Sequence, residues 1–447
     1  MTGAGAQPAA ASGQALGAPI GFRGDWRSGA ESRLCAPSGM VNEMRDLSDA
    51  RDYYCNTPPA LVLTYGISGI FVGIGLARFA YSPIIPLLIR DGWYSDYQAQ
   101  LLGAWGLAGY LLGGFLAQRF ARRFSPGGLS GAMGLLVLLS LLFCSFPIHF
   151  VHAAFWRTMS GVAGAVLMIA GLAAVNARLG AMGRQGLGGL VFTGVGAGAL
   201  LGSIMMVFLP DASAAASSLG LTALCAAALA VNLFAGRRMR RAPKLRGVDA
   251  FPRAEARLHH ALLLAIAGYA LNAFGMTAHS LYVVDYVTRE VGLAPRMGAL
   301  IWTGFGIGAF LAPLVPLRFL RGGLVWICVA QGVAIAGVAV SNLPAVFWGA
   351  TLIVGFGAPG VGMLVSAFIQ RTIGPQSYIR YWALATTGFA SAQAFGGFSA
   401  SRLSQHWGGY QPVFLLGAGC LFAAALAMAG AARLRDRALA ARDVAAG

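Results

Sequence analysis

Two arginines, Arg78 and Arg157, stand inside long apolar stretches of the sequence. A charged side chain near the centre of a membrane costs several kcal/mol unless it faces a polar interior or a partner. The apolar stretches carry no Asp or Glu deep within them, so the sequence offers neither arginine an acidic partner. One hypothesis is a cationic site that takes an anionic substrate, such as a carboxylate, as its counter-ion. The alternative for Arg157 is structural, with its guanidinium bonding backbone carbonyls and locking neighbouring helices together.

A second set of polar residues falls at helical spacing on the seventh apolar stretch. Tyr269, Asn272, Met276 and His279 recur every three or four residues, which places them along one face of a helix. His279 can change its charge near neutral pH and relay a proton, with Asp285 at the outer interface as the nearest carboxylate. A lone membrane histidine more often only bonds between helices. Proton coupling by this pair is therefore the less favoured of two interpretations.

Three further positions are candidates for substrate contact. Gln393 is the polar residue of the eleventh apolar stretch, where the first half of the chain has Ala199. Trp105 and Trp302 either line a cavity or pack between helices, and bulky aromatics are more often packing residues. The complete set of candidate substrate-binding residues is Arg78, Tyr81, Trp105, Arg157, Tyr269, Asn272, Trp302 and Gln393.

Residues for other kinds of chemistry are lacking. The sequence has no Gly-x-x-x-x-Gly-Lys-[Ser/Thr] signature for nucleotide binding, and its sole lysine is Lys244. The six cysteines are scattered without metal-ligand spacing, and no Ser/His/Asp constellation falls on compatible faces. We therefore expect no enzyme activity, no cofactor and no metal site.

Long apolar helices must position the candidate residues. Hydrophobic residues make up 57% of the chain and charged residues only 11%, far from the balance of a soluble globular protein. Runs of about 20 apolar residues are long enough to cross a hydrocarbon core of roughly 30 Å as a helix. We predict an all-α membrane protein with twelve transmembrane helices, at residues 60–86, 98–119, 128–147, 150–175, 187–209, 214–235, 260–284, 298–317, 323–342, 345–369, 380–400 and 411–432.

The basic residues indicate how these helices are oriented. The chain has a formal net charge of +17, and its Lys and Arg residues fall almost entirely on one side when the predicted helices alternate in direction. The exceptions between helices are Arg90, Arg289, Arg296 and Arg402. By the positive-inside rule this asymmetry places both termini in the cytoplasm of a bacterial-type inner membrane. The charge therefore needs no nucleic-acid partner to explain it.

A polar, arginine-rich stretch divides the chain into two halves. This stretch, residues 236–259, is predicted to be a cytoplasmic linker between the sixth and seventh helices. We predict six-helix bundles at 59–235 and 260–434, a disordered cytoplasmic N-terminal tail at 1–58 and a cytoplasmic C-terminal tail at 435–447.

Equivalent helices of the two halves share residues at nearly constant separation, which indicates an internal duplication. The matches set Thr193, Gly194 and Gly202 against Thr387, Gly388 and Gly396, and Trp105 and Gly109 against Trp302 and Gly306. Two such bundles suit alternating access, in which they rock about a site near the membrane centre.

This arrangement and three local motifs resemble the major facilitator superfamily, over about residues 60–435. Residues 114–123 look like the superfamily's signature between its second and third helices, with Gln118 in place of the usual Asp and Ala121 in place of its second Gly. Arg157 with Gly161 looks like the motif of the fourth helix, and residues 75–86 are similar to the YbfB/YjiJ branch. The resemblance implies a conformational-latch loop formed by Gln118, Arg119, Arg122 and Arg123.

The resemblance implies the major facilitator fold and a secondary active transporter that works by alternating access. The expected substrate is a small organic solute, with an anionic one as an option and H+ as an optional coupling ion. Efflux of drugs or metabolites is the alternative within the same fold, and a membrane sensor or membrane-embedded enzyme is less favoured. We expect the lipid bilayer and the small molecule to be the partners of a monomer.

Overall fold

The computed structural model describes residues 57–209, 212–239, 256–316 and 322–446. These residues are almost wholly helical and include no strand. The apolar composition favours this outcome, because a helix satisfies its own backbone hydrogen bonds in lipid. The predicted tail at 1–58 lies outside the described residues apart from its last two positions, and much of the predicted linker at 236–259 lies outside them too.

The N-terminal half contains the first six membrane helices. The first is assembled from helix α1 (Pro59–Ile70), a π-helical segment Phe71–Leu76, a 3-10 segment Phe79–Ile84 and helix α2 (Ile85–Arg90). The next five are α3 (Asp96–Arg123), α4 (Pro126–Phe143), α5 (Phe150–Ala181), α6 (Thr193–Phe208) after a 3-10 segment Gln185–Phe192, and α7 (Ala214–Met239).

The C-terminal half contains the remaining helices. They are α8 (Ala256–Asp285) with a π-helical segment Tyr286–Glu290, α9 (Pro295–Leu311) with a 3-10 segment Ala312–Leu314, α10 (Gly323–Val340), α11 (Pro344–Trp407) and α12 (Gln411–Ala446). The region predicted as a C-terminal tail, 435–447, is helical as far as Ala446 and extends α12.

Polar residues mark the starts of several helices. Ser95 accepts a hydrogen bond from the Gln98 amide and forms a capping box at α3. Asp91 accepts a 2.6 Å hydrogen bond from the Ala214 amide at the start of α7 and pairs with Arg90 at 2.8 Å. Partial burial opposes the charge on Asp91, but these two hydrogen bonds outweigh it and hold the pKa of Asp91 below its ordinary value.

Helix α11 contains both the tenth and the eleventh predicted membrane helices. Its 64 residues would extend roughly 96 Å if the helix were straight. The chain instead folds back within α11. This follows from the hydroxyl oxygens of Ser366 and Tyr378, which are only 2.7 Å apart. The ring of Tyr269 in α8 likewise contacts Phe389 while its hydroxyl lies beside Gly362.

Eleven helical segments among the described residues are long and apolar enough to cross a membrane. The second part of α11 is not one of them, because Gly, Ser, Thr and Gln residues make it less apolar, and it supplies the twelfth helix of the fold. The predicted all-α fold with two six-helix bundles is confirmed.

The helices pack mainly within each half, and two crossings are the most extensive contacts between the halves. In the first half α5 packs against α1, α3 and α4, and in the second α8 packs against α11 and α12. Between the halves α6 packs against α9, and α3 packs against α11. Glycine makes the first crossing close, since Gly196 lies against the backbone of Phe310 and Gly306 against that of Leu200.

Candidate functional site

The first membrane helix is broken near its middle, and the break supplies unpaired backbone carbonyls. Its regular α-helix ends at Ile70 and resumes at Ile85. Pro83 has no N–H to offer the carbonyl four residues earlier, that of Phe79. Gly73 and Gly75 allow the π-helical part to pack closely on Gly164 of α5 and Gly198 of α6.

Side chains from other helices satisfy the carbonyls that the break leaves free. The Trp302 indole Nε1 donates a 2.8 Å hydrogen bond to the Phe79 carbonyl, from the opposite half of the molecule. The Arg157 Nη1 donates a 2.8 Å hydrogen bond to the Ala77 carbonyl. Irregular backbone inside a membrane is stable only where such partners exist. Two predicted substrate-binding residues therefore support the broken helix in this conformation.

Arg157 is buried and well satisfied. Besides its bond to Ala77, its Nε lies 3.5 Å from the Leu102 carbonyl oxygen. Its guanidinium carbon lies 4.0 Å from the centre of the Tyr81 ring, a cation–π contact. The Tyr81 hydroxyl in turn donates to the Ala99 carbonyl at 3.2 Å. Arg157 and Tyr81 thus tie α3, α5 and the broken helix together.

Arg78 is placed differently. Its Nε and Nη2 are buried and have no hydrogen-bond partner among the described residues. The guanidinium carbon lies 4.8 Å from the Phe79 ring centre and 5.7 Å from that of Tyr110. Arg78 is therefore a cation with aromatic neighbours and unused donors.

Arg78 and Arg157 line one cavity, which we call the central cavity. Its wall includes Ala77 and Tyr110 of the N-terminal half and Leu281 of the C-terminal half. Its volume of about 10 Å³ accommodates roughly one water molecule and no organic solute. Substrate binding at this place therefore requires the two halves to move apart.

None of the other predicted substrate-binding residues lines the central cavity. The Asn272 Nδ2 donates a 2.8 Å hydrogen bond to Gln331 Oε1, inside the C-terminal half. Gln393 is almost completely buried, and its amide atoms have no partner among the described residues. Trp302 is inaccessible and stacks on Phe305, whereas the more exposed Trp105 lies edge-on to Phe398.

The proposed proton-coupling residues His279 and Asp285 are both fully buried. The two imidazole nitrogens of His279 have no hydrogen-bond partner among the described residues, and the ring lies 6.3 Å from that of Phe414. Asp285 instead accepts a hydrogen bond from the Tyr410 hydroxyl, at 2.5 Å. Asp285 was expected at the outer membrane interface. Its carboxylate is instead buried, because Tyr410 covers it.

Asp285 belongs to a polar cluster that joins the two halves. Gln100 of α3 donates from Nε2 to the Tyr410 hydroxyl at 2.6 Å, and its Oε1 accepts from Ser404 at 3.2 Å. Arg289 lies 3.5 Å from Asp285 and also pairs with Asp96 of the N-terminal half, at 2.5 Å. We call this cluster the Asp285 network, consisting of Asp96, Gln100, Asp285, Arg289, Ser404 and Tyr410.

Only Asp285 of this network was predicted as a site residue. Gln100 carried a recognisable signal, since it is a polar side chain within a predicted membrane helix. Tyr410 carried none, because its position next to Asp285 depends on how α12 packs on α8.

The four residues of the predicted latch loop are helical. Gln118, Arg119, Arg122 and Arg123 form the exposed last turns of α3, and only Phe124 and Ser125 separate that helix from α4. The connection is short because Ser125 caps α4 and Pro126 occupies its first turn. The expected loop conformation is therefore wrong, while the role of these residues stays a prediction.

Four aromatic side chains of the C-terminal half form a row, and only Tyr269 of them was predicted as a site residue. Tyr378 stacks on Trp382 with ring centres 6.2 Å apart and planes 9° from parallel. Trp382 and Phe389 both contact Tyr269, with centre distances of 6.5 and 4.4 Å. We call these four residues the aromatic row. The spacing of Tyr378, Trp382 and Phe389 along one helical face was a signal for it.

No group of three or more His, Cys, Asp or Glu side chains suited to a metal occurs in the described part of the chain. The polar residues that line the central cavity are Arg78, Arg157, Tyr110 and Ser160.

Comparison with known proteins places this site in a transporter family. The crystal structure of a D-xylose-proton symporter is similar in fold, with a TM-score of 0.63 at 14% sequence identity over 82% of this chain and 96% of that one. No curated protein sequence matches the chain. A family model described as uncharacterised MFS-type transporter YbfB matches residues 70–429, most of the chain. The chain therefore belongs to the YbfB-type transporters of the major facilitator superfamily.

Proposed function

We propose that this chain carries a small organic anion across the inner membrane by alternating access, with Arg78 binding the anionic group. Its family makes it a multi-pass membrane protein and a transporter rather than an enzyme. The state of Arg78 supports an anionic substrate, since this guanidinium lines the central cavity with two buried nitrogens that lack hydrogen-bond partners among the described residues. A carboxylate accepts two parallel hydrogen bonds from such a group.

The proposed orientation places both termini in the cytoplasm, with the basic end of α3 at Arg122 and Arg123 on that side. The Asp285 network then lies towards the outer face, where it joins the two bundles. In this assignment the outer side is closed. We also propose bundle limits of 59–235 and 260–434 and a monomeric state. A monomer is sufficient because one chain supplies both walls of the central cavity.

A proton is the proposed coupling ion, with Asp285 favoured over His279 as the group that takes it up. Asp285 is a buried carboxylate in contact with Tyr410 and Arg289, in a network that crosses between the bundles. Protonation of Asp285 would change contacts on both sides of that boundary. His279 faces Phe414 within one bundle, and its ring nitrogens have no hydrogen-bond partner among the described residues.

Ligand-dependent thermal unfolding of the purified, detergent-solubilised protein tests the proposal. A ligand at 100 times its Kd stabilises a native protein by about 2.7 kcal/mol, so a panel of organic anions, cations and neutral solutes can be compared. We expect stabilisation by anions in the wild type and in the control Arg296→Gln, whose arginine is exposed, and none in Arg78→Gln. Stabilisation by cations or neutral solutes alone, unchanged in Arg78→Gln, would overturn it.

A further inference from the structure

The two arginines of the central cavity belong to the same half of the molecule. Arg78 lies in the broken first membrane helix, and Arg157 lies in α5. The Arg157 Nη1 donates its 2.8 Å hydrogen bond to the Ala77 carbonyl, which is part of the peptide group that joins Ala77 to Arg78. The guanidinium of one arginine is therefore bonded directly to the backbone that carries the other.

No acidic side chain offsets these two charges. The described lining of the central cavity contains no Asp or Glu. Among the described residues, neither arginine forms a salt bridge. The hydrogen bonds of Arg157 go to neutral carbonyls, those of Ala77 and Leu102, so they satisfy donors without cancelling the charge. A buried charge remains costly until an opposite charge compensates it.

Both guanidinium groups keep donors for a ligand. The Nε and Nη2 of Arg78 have no hydrogen-bond partner among the described residues. The two hydrogen bonds of Arg157 use Nη1 and Nε, and its Nη2 donates to no described residue. Guanidinium groups form their strongest hydrogen bonds with anionic oxygen acceptors. Each arginine can therefore bind one anionic group.

A glycine leaves space beside the free nitrogen of Arg157. Gly106 of α3 lines the central cavity. A Cβ at this position would lie 3.0 Å from the Arg157 Nη2, and its three nearest contacts would all be atoms of that guanidinium. An anionic oxygen needs this space, because it must approach Nη2 to hydrogen-bond distance. Gly106 thus keeps Arg157 accessible from the cavity.

Separation of the halves would uncover the two arginines together. Among the described residues, Leu281 is the only one from the C-terminal half that lines the central cavity. Arg78, Arg157 and Gly106 all belong to the N-terminal half. Rocking of one bundle against the other would withdraw Leu281 and leave the bond between Arg157 and Ala77 intact. The opened site would then present two positive charges.

We infer that the substrate is an organic dianion, with one negative charge for each of Arg78 and Arg157. This inference rests on the proposed function, because it takes anion binding at Arg78 as given and adds a second anionic contact at Arg157. A monoanion would leave one of the two buried charges uncompensated. Gly106 is the specificity-determining residue, because it leaves room for the second contact.

Matched probes, compared by thermal unfolding of the full-length protein near neutral pH and at constant ionic strength, test the inference. The straight-chain dicarboxylates from malonate to adipate carry two charges, and their monomethyl esters carry one charge on the same chain. Propyl phosphate carries both charges on a single group. We expect the tightest dianion to reach half-saturation at a concentration about tenfold lower than the tightest monoester, as one more charge-assisted hydrogen bond provides. Whether a dicarboxylate or propyl phosphate binds more tightly shows whether the two charges lie on two groups or on one.

Variants separate the second charge from the first. Gly106→Ala fills the space beside Nη2, so dianions and monoesters should reach half-saturation at similar concentrations while both still bind at Arg78. Gly114→Ala on the same helix meets no neighbour, serves as the control and should keep the tenfold preference. Arg157→Gln provides the same test should Gly106→Ala fail to fold. Arg78→Gln should abolish the binding of both kinds of anion.

The outcomes distinguish the inference from the proposed function. Equal half-saturation by dianions and monoesters in the wild type, or a preference that persists in both Gly106→Ala and Arg157→Gln, would overturn the dianion inference and leave the anionic site at Arg78 standing. Stabilisation by no organic anion, or equal stabilisation of the wild type and Arg78→Gln, would overturn both.

Discussion

At the scale of single residues, the two membrane arginines differ in how their charges are satisfied. Arg157 bonds the Ala77 carbonyl, approaches that of Leu102 and lies over the Tyr81 ring. Arg78 has aromatic neighbours but leaves two buried nitrogens without partners in the described part of the chain. A buried, unsatisfied charge costs stability, and proteins retain such groups mainly at functional sites.

Glutamine substitutions should therefore shift stability in opposite directions. Arg157→Gln removes the partner of a buried carbonyl and should destabilise the protein by about 1–3 kcal/mol. Arg78→Gln removes an unsatisfied charge and should stabilise the ligand-free protein by on the order of 1 kcal/mol. Thermal unfolding in detergent without added ligand measures both. If Arg78→Gln proved as destabilising as Arg157→Gln, Arg78 would have a structural role instead.

At the scale of helices, small residues determine how closely α3 and α5 approach. Gly109 and Gly113 of α3 face backbone atoms of α5, at Thr158 and Val162 respectively. Gly114, the next residue along α3, faces open space. The hydrophobic effect contributes little between helices in lipid, so this close contact stabilises the helix pair through dispersion.

Adjacent glycines of α3 provide a matched test of that contact. A Cβ at position 113 would overlap the Val162 carbonyl, so Gly113→Ala should destabilise the protein by about 1–3 kcal/mol. Gly114→Ala meets no neighbour and should be neutral or stabilising by up to about 1 kcal/mol, because alanine favours the helix. Melting temperatures of the two purified variants measure the difference. Equal melting temperatures would show that α3 and α5 are further apart.

At the scale of the whole molecule, the Asp285 network and the central cavity occupy the same boundary between bundles. Gln100 is the residue through which α3 enters the network, by its contacts with Tyr410 and Ser404. The central cavity is too small for a solute in this conformation. Separation of the bundles is thus a requirement for binding, and the network is one of the contacts that oppose it.

Loss of the Gln100 contacts should favour the conformation in which this end is open. Phe146 and Leu343 are exposed residues in loops of the two halves. Spin labels at these two positions, in a background without native cysteines, report the distance between the halves by double electron–electron resonance. Gln100→Leu should shift the distances to longer values. Gln405→Leu, an exposed glutamine near the same end, is the control. Identical distributions for Gln100→Leu and wild type would exclude the network as a latch.

Several features of the fold were predictable because they depend on local composition. Apolar runs located the helices, and α5 and α6 begin or end within a few residues of the predicted 150–175 and 187–209. The intramembrane positions of Arg78 and Arg157 followed from the same runs, and both arginines do line one cavity.

The remaining features depend on contacts between distant residues. The break at 71–84 requires Trp302 and Arg157 to satisfy carbonyls from other helices, which no local pattern indicates. Burial of Asp285 requires Tyr410, far away along the chain. Contacts between distant residues also decide which arginine, Arg157 or Arg78, has hydrogen-bond partners. Only the folded structure contains that information.

Transport by reconstituted proteoliposomes tests most directly whether Arg78 is the substrate-binding charge. Uptake of a radiolabelled organic anion, chosen because it stabilises the wild type against thermal unfolding, would be measured for wild type, Arg78→Gln and the exposed control Arg296→Gln, each at matched protein content and verified stability. We predict saturable uptake by wild type and Arg296→Gln, and a loss of roughly tenfold or more in Arg78→Gln, as removal of a charge-assisted hydrogen bond implies. Saturable uptake by stable Arg78→Gln at the wild-type rate would contradict this assignment.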